Sequence, residues 1–558
     1  TLDANQQLGS RNIANRSSAE RVFHFKDGKS LYEYNQKFGN DNLMDSLLMG
    51  FEKAGQDVGL MTGLGTNPRN TLDNIITLLR NHYGGTIAKD LSFSKIENVF
   101  KELDGSINSG SGSMQAKIGS AVGALQETGK LGGITPTSFF GDLPNMMTEI
   151  KHQDMNMFDS MNIVFKELKR TQNKKELQQI LKPFNLFAAN FVGALNQHAV
   201  VREEMTGALA KYRASFYKYT GFTGLMQRMK SGMFMAMQNH YGILAKTNAW
   251  NQLTDQTKIN FGLYKIDEGM WNIMRKSTLR EFEGYELLTL ENFKDIPKSD
   301  IVSYLNKTQP KLKKITDKKI KETQDMMQSK WRMFLYDRTH HGVLEPGARE
   351  RSILNQGFER GTTAGLLIRL MTKFKSFPTT VYTRKLELMV KGTGENTRYS
   401  DYIPALAYYT VLGTMFGYAS LSFADMLMGR EPRDPKDPMT ALASFAKGGG
   451  GSIYVDLLNS EISRSNGGAA STILGPAFAD AEGLFKVLEN TFKGKFDKAG
   501  LKAYRLFEAN TPVDVWFLRP AYNYLIGYQI KEMIDPGYFD RLQGYTKQNT
   551  GQEFFLKP

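Results

Sequence analysis

The chain has 558 residues, 41% of them hydrophobic, so it can bury sizeable cores and is not expected to be disordered throughout. It has no Cys, which excludes a disulfide framework, a thiolate zinc site and a Cys nucleophile. Its formal net charge of +14 suits contact with nucleic acid, acidic lipid or an acidic partner, and suits equally a basic surface in water.

Helical periodicity dominates from the start. Residues 22–25, before Asp27-Gly28, are the best strand candidate and are short. A short helix follows, with Ser30 as its cap, Glu33 completing a capping box and Gly39 suited to the left-handed position after its end. Leu72, Ile75, Ile76 and Leu79 then fall on one helix face. Met157, Met161, Val164, Phe165 and Leu168 repeat the pattern, as do Phe485, Leu488, Phe492 and Phe496. These features predict an all-α, extended, multi-domain helical protein with few or no strands.

Punctuation suggests the domain plan. Residues 105–113 (GSINSGSGS) read as a flexible linker between an N-terminal helical region, 1–104, and a central one, 114–340. Within the latter, 307–330 carries eight Lys against three acidic residues, the pattern of a solvated helix face or a surface for an acidic partner. A C-terminal helical region takes 341–558. Inside it, 432–438 holds three prolines, and 447–451 (KGGGG) marks a hinge or a close approach of backbones. The 27 Met residues suit surfaces that repack, or simply replace Leu.

Motifs for chemistry are sparse. Gly28-Lys29-Ser30 resembles the end of a P-loop, but Phe23 stands where the cradle needs its first Gly. No H-E-x-x-H or G-x-S-x-G frame occurs. His340, His341 and Glu345 are the only dense histidine group, and neighbouring helix residues point about 100° apart, which disfavours a shared metal. The Glu-Ser dipeptide of phage lytic transglycosylases is absent. No catalytic, cofactor-binding or metal-binding residue is therefore assigned, and the chain is expected not to be an enzyme.

The run from Ile403 to Ala424 holds 22 residues without a charge, long enough as a helix for about 30 Å of hydrocarbon. Gly413 and Gly417 form a small-residue G-x-x-x-G face that lets helices pack closely. A soluble core helix is one reading; conditional insertion into the host inner membrane is the other.

The second half resembles the C-terminal region of the large internal virion, or ejection, proteins of short-tailed bacteriophages and related prophage proteins. The likeness runs through HGVLEPGARERSILNQGFERGTTAG (341–365), RLMTKFKSFPTTVYTR (369–384), MGREPRDP (428–435), KGGGGSIYVDLL (447–458), STILGPAFADAEGL (471–484), EANTPVDVWFLRPAYNYL (508–525) and DPGYFDRL (535–542). RVFHFKDGKSLYEYNQKFG (21–39) and NFGLYKIDEGMWNIMR (260–275) extend it more loosely. The resemblance implies a virion-interior protein that passes into the host envelope during infection. Its implied partners are the portal, other internal virion proteins, copies of itself and genomic DNA. Alternatives are a carrier whose transglycosylase or toxin domain lies upstream, and a basic anchor for DNA or the portal. Phe374 and Phe377 are expected to pack on a neighbouring helix with Lys373 and Lys375 outward. Thr511 is expected to cap a helix restarting at Pro512. Arg349, Arg351, Arg360, Arg369 and Arg384 suit DNA phosphates or partner carboxylates, ordinary ion pairs being the commoner use of such residues.

Overall fold

The computed structural model describes residues 24–38, 43–90, 93–110, 113–170, 175–181, 208–311, 314–386, 389, 399–448 and 474–555. Helix makes up 77% of these residues, and their only sheet is one two-stranded antiparallel hairpin. The protein is therefore all-α, as the periodicity predicts.

Four helices open the fold: α1 (Gly28–Phe38), α2 (Leu43–Leu64), α3 (Pro68–Asp90) and α4 (Phe93–Asp104). The start of α1 lies earlier than expected, because Asp27 and not Ser30 caps it; the Ser30 amide donates to Asp27 Oδ1 at 2.8 Å. Gly39 and the first half of the strand candidate fall outside the described residues, and His24 and Phe25 are not in a strand. Leu72 and Ile76 of α3 meet Phe100 of α4 in a small core, while Ile75 of the same stripe stays exposed.

The glycine-serine segment is not a free tether where it is described. Residues Ser106–Asn108 make a 3-10 turn with Ile107 buried. The amides of Arg360 and Gly361 donate to the carbonyls of Ile107 (3.0 Å) and Ser109 (2.9 Å). Small residues here let one strand of backbone lie against another, and composition alone does not separate that use from flexibility.

The main core follows. After α5 (Met114–Lys130) it is built from α6 (Ile134–His152), α7 (Met157–Lys169), the short helix Lys175–Leu181, α8 (Ala208–Tyr219), α9 (Phe222–Thr247), α10 (Asp255–Leu263), α11 (Glu268–Met274), α12 (Lys298–Thr308) and α13 (Asp317–Gly342). Tyr241, Phe261, Trp271, Trp331 and Phe334 form its centre; Trp331 stacks on Phe334 with ring centroids 5.2 Å apart. Met229, Met233, Met235 and Met237 of α9 are all buried, so these methionines are core packing. Between α11 and α12 the hairpin pairs β1 (Arg280–Phe282) with β2 (Tyr285–Leu287). Its turn residues Glu283 and Gly284 both have positive φ, 52° and 83°, which matches the right-handed twist of the strands. On α13 the face with Met327, Trp331 and Phe334 is buried, while Lys318 and Lys321 face water, as does Lys314 just before the helix.

The C-terminal region comprises α14 (Ala348–Asn355), α15 (Thr363–Met371), α16 (Ser376–Val381), α17 (Tyr399–Leu427), α18 (Pro438–Lys447), α19 (Pro476–Phe492), α20 (Phe496–Ala509), α21 (Tyr528–Ile534) and α22 (Tyr538–Thr550). The boundary expected at 340–341 falls inside α13, and the later chain returns to the main core. Val515 is buried in it, and Trp516 donates from its backbone to Gly132 O (3.0 Å) and from Nε1 to Thr220 O (3.1 Å). Thr511 stands at the N-cap of the Pro512–Asp514 turn with Pro512 first in it, as expected, but its hydroxyl makes no cap bond and donates back to Phe507 O at 2.9 Å.

Candidate functional site

Three features stand out once the helices are placed: a buried ionic network, a ring of arginines, and apolar faces left in water.

The network lies where α6, α9 and α13 meet the π-helical turn Tyr382–Leu386. Glu149, Arg338 and Lys385 are each 3% exposed or less. Arg338 grips Glu149 with Nε at 2.7 Å and Nη2 at 2.8 Å, and Lys385 Nζ stands 3.5 Å away. Burial alone would raise the Glu149 carboxyl, but Arg338 and then Lys385 hold it well below the usual carboxylate range. Gln153 donates to Glu149 at 2.8 Å and takes the Tyr241 hydroxyl at 2.7 Å. Lys385 also donates to Asn145 O at 3.1 Å, and Tyr409 of α17 donates to the Asn145 side chain at 3.2 Å. Nearby, Lys230 contacts Glu345, whose second oxygen lies 3.0 Å from His340 Nε2. His341 turns the other way, 3.7 Å from Asp337, so the paired histidines do not converge. Among the described residues no group of three His, Asp or Glu is placed to hold a metal.

This interior sets a pH dependence. Burial pushes His152 and His240 down to about 4, and His341 well below its ordinary value; Arg338 adds to the effect on His152 and His341. The unfolded chain takes up these protons near pH 6.5 and the folded chain does not, so stability falls as pH drops from 6.5 toward 4. Asp142 opposes them. Burial raises it to about 7, so its contribution is lost as pH rises from 3.8 to 7. Three histidines outweigh one carboxyl. His152 alone is worth on the order of 3 kcal/mol. Denaturant midpoints are expected to be clearly lower at pH 4.5 than at pH 7, and His152→Gln is expected to flatten the difference. A midpoint that rises on acidification would contradict this.

The five arginines are mostly used within the chain. Arg360 is 3% exposed and donates to the Ser120 hydroxyl. Arg351 Nε lies 3.3 Å from Glu102, and Arg384 Nη2 lies 3.5 Å from Glu350. Arg369 donates to the carbonyls of Phe358 (3.1 Å) and Gly365 (3.2 Å). Only Arg349 is exposed. Lys373, expected outward, points inward onto buried Glu127 at 2.5 Å; Phe377 packs on Leu344, Val381 and Tyr409 as expected. The arginines thus join the 102–120 region to the motifs at 341–384, a long-range use that local spacing does not reveal.

The uncharged run lies wholly inside α17, a helix of 29 residues. Its glycine face is already occupied. A Cβ on Gly417 would overlap Ser444 O and come within 2.8 Å of the Gly448 amide, and one on Gly413 would lie 3.4 Å from Gly448 O. The close approach expected of Gly413 and Gly417 is therefore made within one chain, against Ser444 and Gly448 at the end of α18; residues 449–451 of the KGGGG segment lie outside the described residues. No helix among the described residues is long and apolar enough to cross a membrane. Length suits the run for a span, but Thr410, Thr414, Ser420 and Ser422 lower its hydropathy.

The outer side of α17 is another matter. Ile403, Val411 and Met415 are 56–62% exposed and line up every four or eight residues in a ridge. A second apolar stripe runs along α19, where Leu484, Phe485, Leu488 and Phe492 share a face turned away from α20. Phe492 is 89% exposed. The helix ends there, because Gly494 takes φ 66°, and Phe496 (69% exposed) begins α20 instead of continuing α19. On the inner side, Gly483 sits against Leu506 and closes the α19–α20 pair.

No family model matches the chain, and no curated protein or solved structure is similar to it. The fold and the site together define an all-α protein with a charged, tightly paired interior and apolar helix faces in water.

Proposed function

We propose that the chain is a structural internal virion (ejection) protein of a tailed bacteriophage. It assembles with copies of itself or with other core proteins, at the portal or into a channel for genome delivery through the host envelope. The observation that carries assembly is the stripe of Leu484, Phe485, Leu488, Phe492 and Phe496, all at least 56% exposed. Contiguous apolar patches of this kind mark interaction surfaces. Burying one such side chain is worth about 1.5–3 kcal/mol, so five give roughly 8–15 kcal/mol. That is close to the cost of association, about 4–15 kcal/mol. The stripe can therefore bring chains together. The phage assignment leans on the ordered motifs over 341–542.

Light scattering of the chain with its virion partners is expected to give a mass well above 62.9 kDa. The double variant Phe485→Ser/Phe492→Ser is expected to remain a monomer with unchanged helix content. A wild-type protein that stays monomeric in the same mixture would end the assembly reading. Mass spectrometry of particles before and after DNA release tests the rest: the chain should be present before and depleted after.

A further inference from the structure

One cavity of the described fold is unrelated to the apolar faces. It is a pocket of about 180 Å³ between α5 and the α14–α16 segment. Four cations reach its wall: Arg351, Arg360, Arg369 and Lys373. Among the described residues one carboxylate lines it, Glu127, and Arg213 contacts that carboxylate from behind the wall. Burial would raise Glu127, but Lys373 and Arg213 keep it below its usual range, so it remains an anion already shared by two cations. The lining charge is thus strongly positive.

The cations are also held in place. Arg360 is fixed on Ser120, Arg369 on two carbonyls and Arg351 on Glu102. Guanidinium groups anchored in this way lose little freedom on meeting an anion, and their fork matches phosphate oxygens. Gln115, in the first turn of α5, also lines the pocket, where the partial positive charge of a 17-residue helix adds to the field. Phe374 lines it too, with φ 67°, a left-handed conformation that a bulky side chain rarely adopts. Strain of this kind persists where the surroundings enforce it, and it collects at ligand sites. Leu366, Leu370 and Phe374 make part of the wall apolar, beside the polar side chains of Ser120, Asn355 and Thr372.

We infer that this pocket binds a phosphate group, carried by a small molecule with an apolar or aromatic portion. With Arg351 held on Glu102 and Lys373 on Glu127, the cations still outnumber the carboxylates, and a doubly charged phosphate monoester suits that excess better than a singly charged carboxylate does. The volume corresponds to roughly six waters at about 30 Å³ each, room for a tetrahedral anion and an attached group but not for a duplex. The inference is independent of assembly.

The test is calorimetric titration of the full chain with phenyl phosphate and with inorganic phosphate at low salt. Saturable one-to-one binding of either is expected, with a raised melting temperature. Gln115→Glu changes one atom and places a carboxylate in the first turn of α5, where the helix tolerates it well. It should weaken binding at least tenfold while the unliganded protein melts no lower than wild type. Lys373→Met should weaken it in the same direction. Tighter binding of phenyl phosphate assigns the apolar wall to the ligand; equal binding assigns the site to free phosphate, and both outcomes support the phosphate site. No saturable binding, or binding that ignores Gln115→Glu, overturns it. So does an oligonucleotide that binds undisturbed by either phosphate while neither phosphate binds alone.

Discussion

Replacing Glu149 by Leu is expected to cost about 3–5 kcal/mol, among the largest single losses available in this protein. Arg338 and Lys385 would be left in the interior with no carboxylate between them, and a buried charge without its partner carries the full penalty of leaving water. The pair itself need not be worth that much. Two ions and their hydrogen bonds come out of water to form it, and much of the attraction only recovers that expense. The double variant Glu149→Leu/Arg338→Met removes both charges together and is therefore expected to recover a large share of the loss. Urea unfolding followed by circular dichroism measures both. A single variant that loses less than about 1 kcal/mol would mean that the interior reorganises around the cations, contrary to the close packing of α6, α9 and α13.

Glu149 and Arg338 are 189 residues apart, and nothing in the spacing of either points to the other. The same holds for Lys373, which its local pattern placed in water and which lies on Glu127, far earlier in the chain. Helical periodicity, by contrast, is a local property. The stripe of Phe485, Leu488 and Phe492 was legible because residues three and four apart share a helix face whatever surrounds them. Periodicity cannot say whether such a face meets a core or water, and here it meets water. Nor did it show the break at Gly494, since Phe496 keeps the spacing across the turn. The hairpin at Glu283-Gly284 was missed because its strands are three residues each, too short for alternation to register. The arginines were found by residue type and given a role at the surface, while contacts within the chain bury Arg360 and leave Arg351, Arg369 and Arg384 half-buried.

These differences bear on how the molecule would work in an assembly. The interior is fixed by directional ionic pairs and a dense aromatic centre, which favour one arrangement of the helices. The apolar stripe and ridge lie on α19 and α17, each held from its inner side by another helix. An interface built on such helices starts close to its final shape, which lowers the ordering cost of association.

The glycines of α17 give a second test, in which the sign of the effect is decided by the neighbour. In a helix interior Gly→Ala normally stabilises by roughly 0.5–1 kcal/mol, because the chain loses freedom it would otherwise have when unfolded. Gly59 of α2 is such a position: a Cβ there meets nothing within 4 Å. Gly59→Ala is expected to raise the melting temperature slightly. Gly417→Ala carries the same helix-propensity gain but puts its methyl group onto Ser444 O and near the Gly448 amide. Those are backbone atoms, so no side chain can rotate aside, and α18 must move away from α17. Overpacking of this kind costs typically 1–3 kcal/mol, more than the propensity returns. Gly417→Ala is thus expected to lower the melting temperature, and Gly417→Leu to lower it much further, through separation of the two helices. The contrast between the two alanine variants is the decisive measurement. If both stabilise alike, α17 does not rest on α18 at Gly417, and its small-residue face would be free for a different partner.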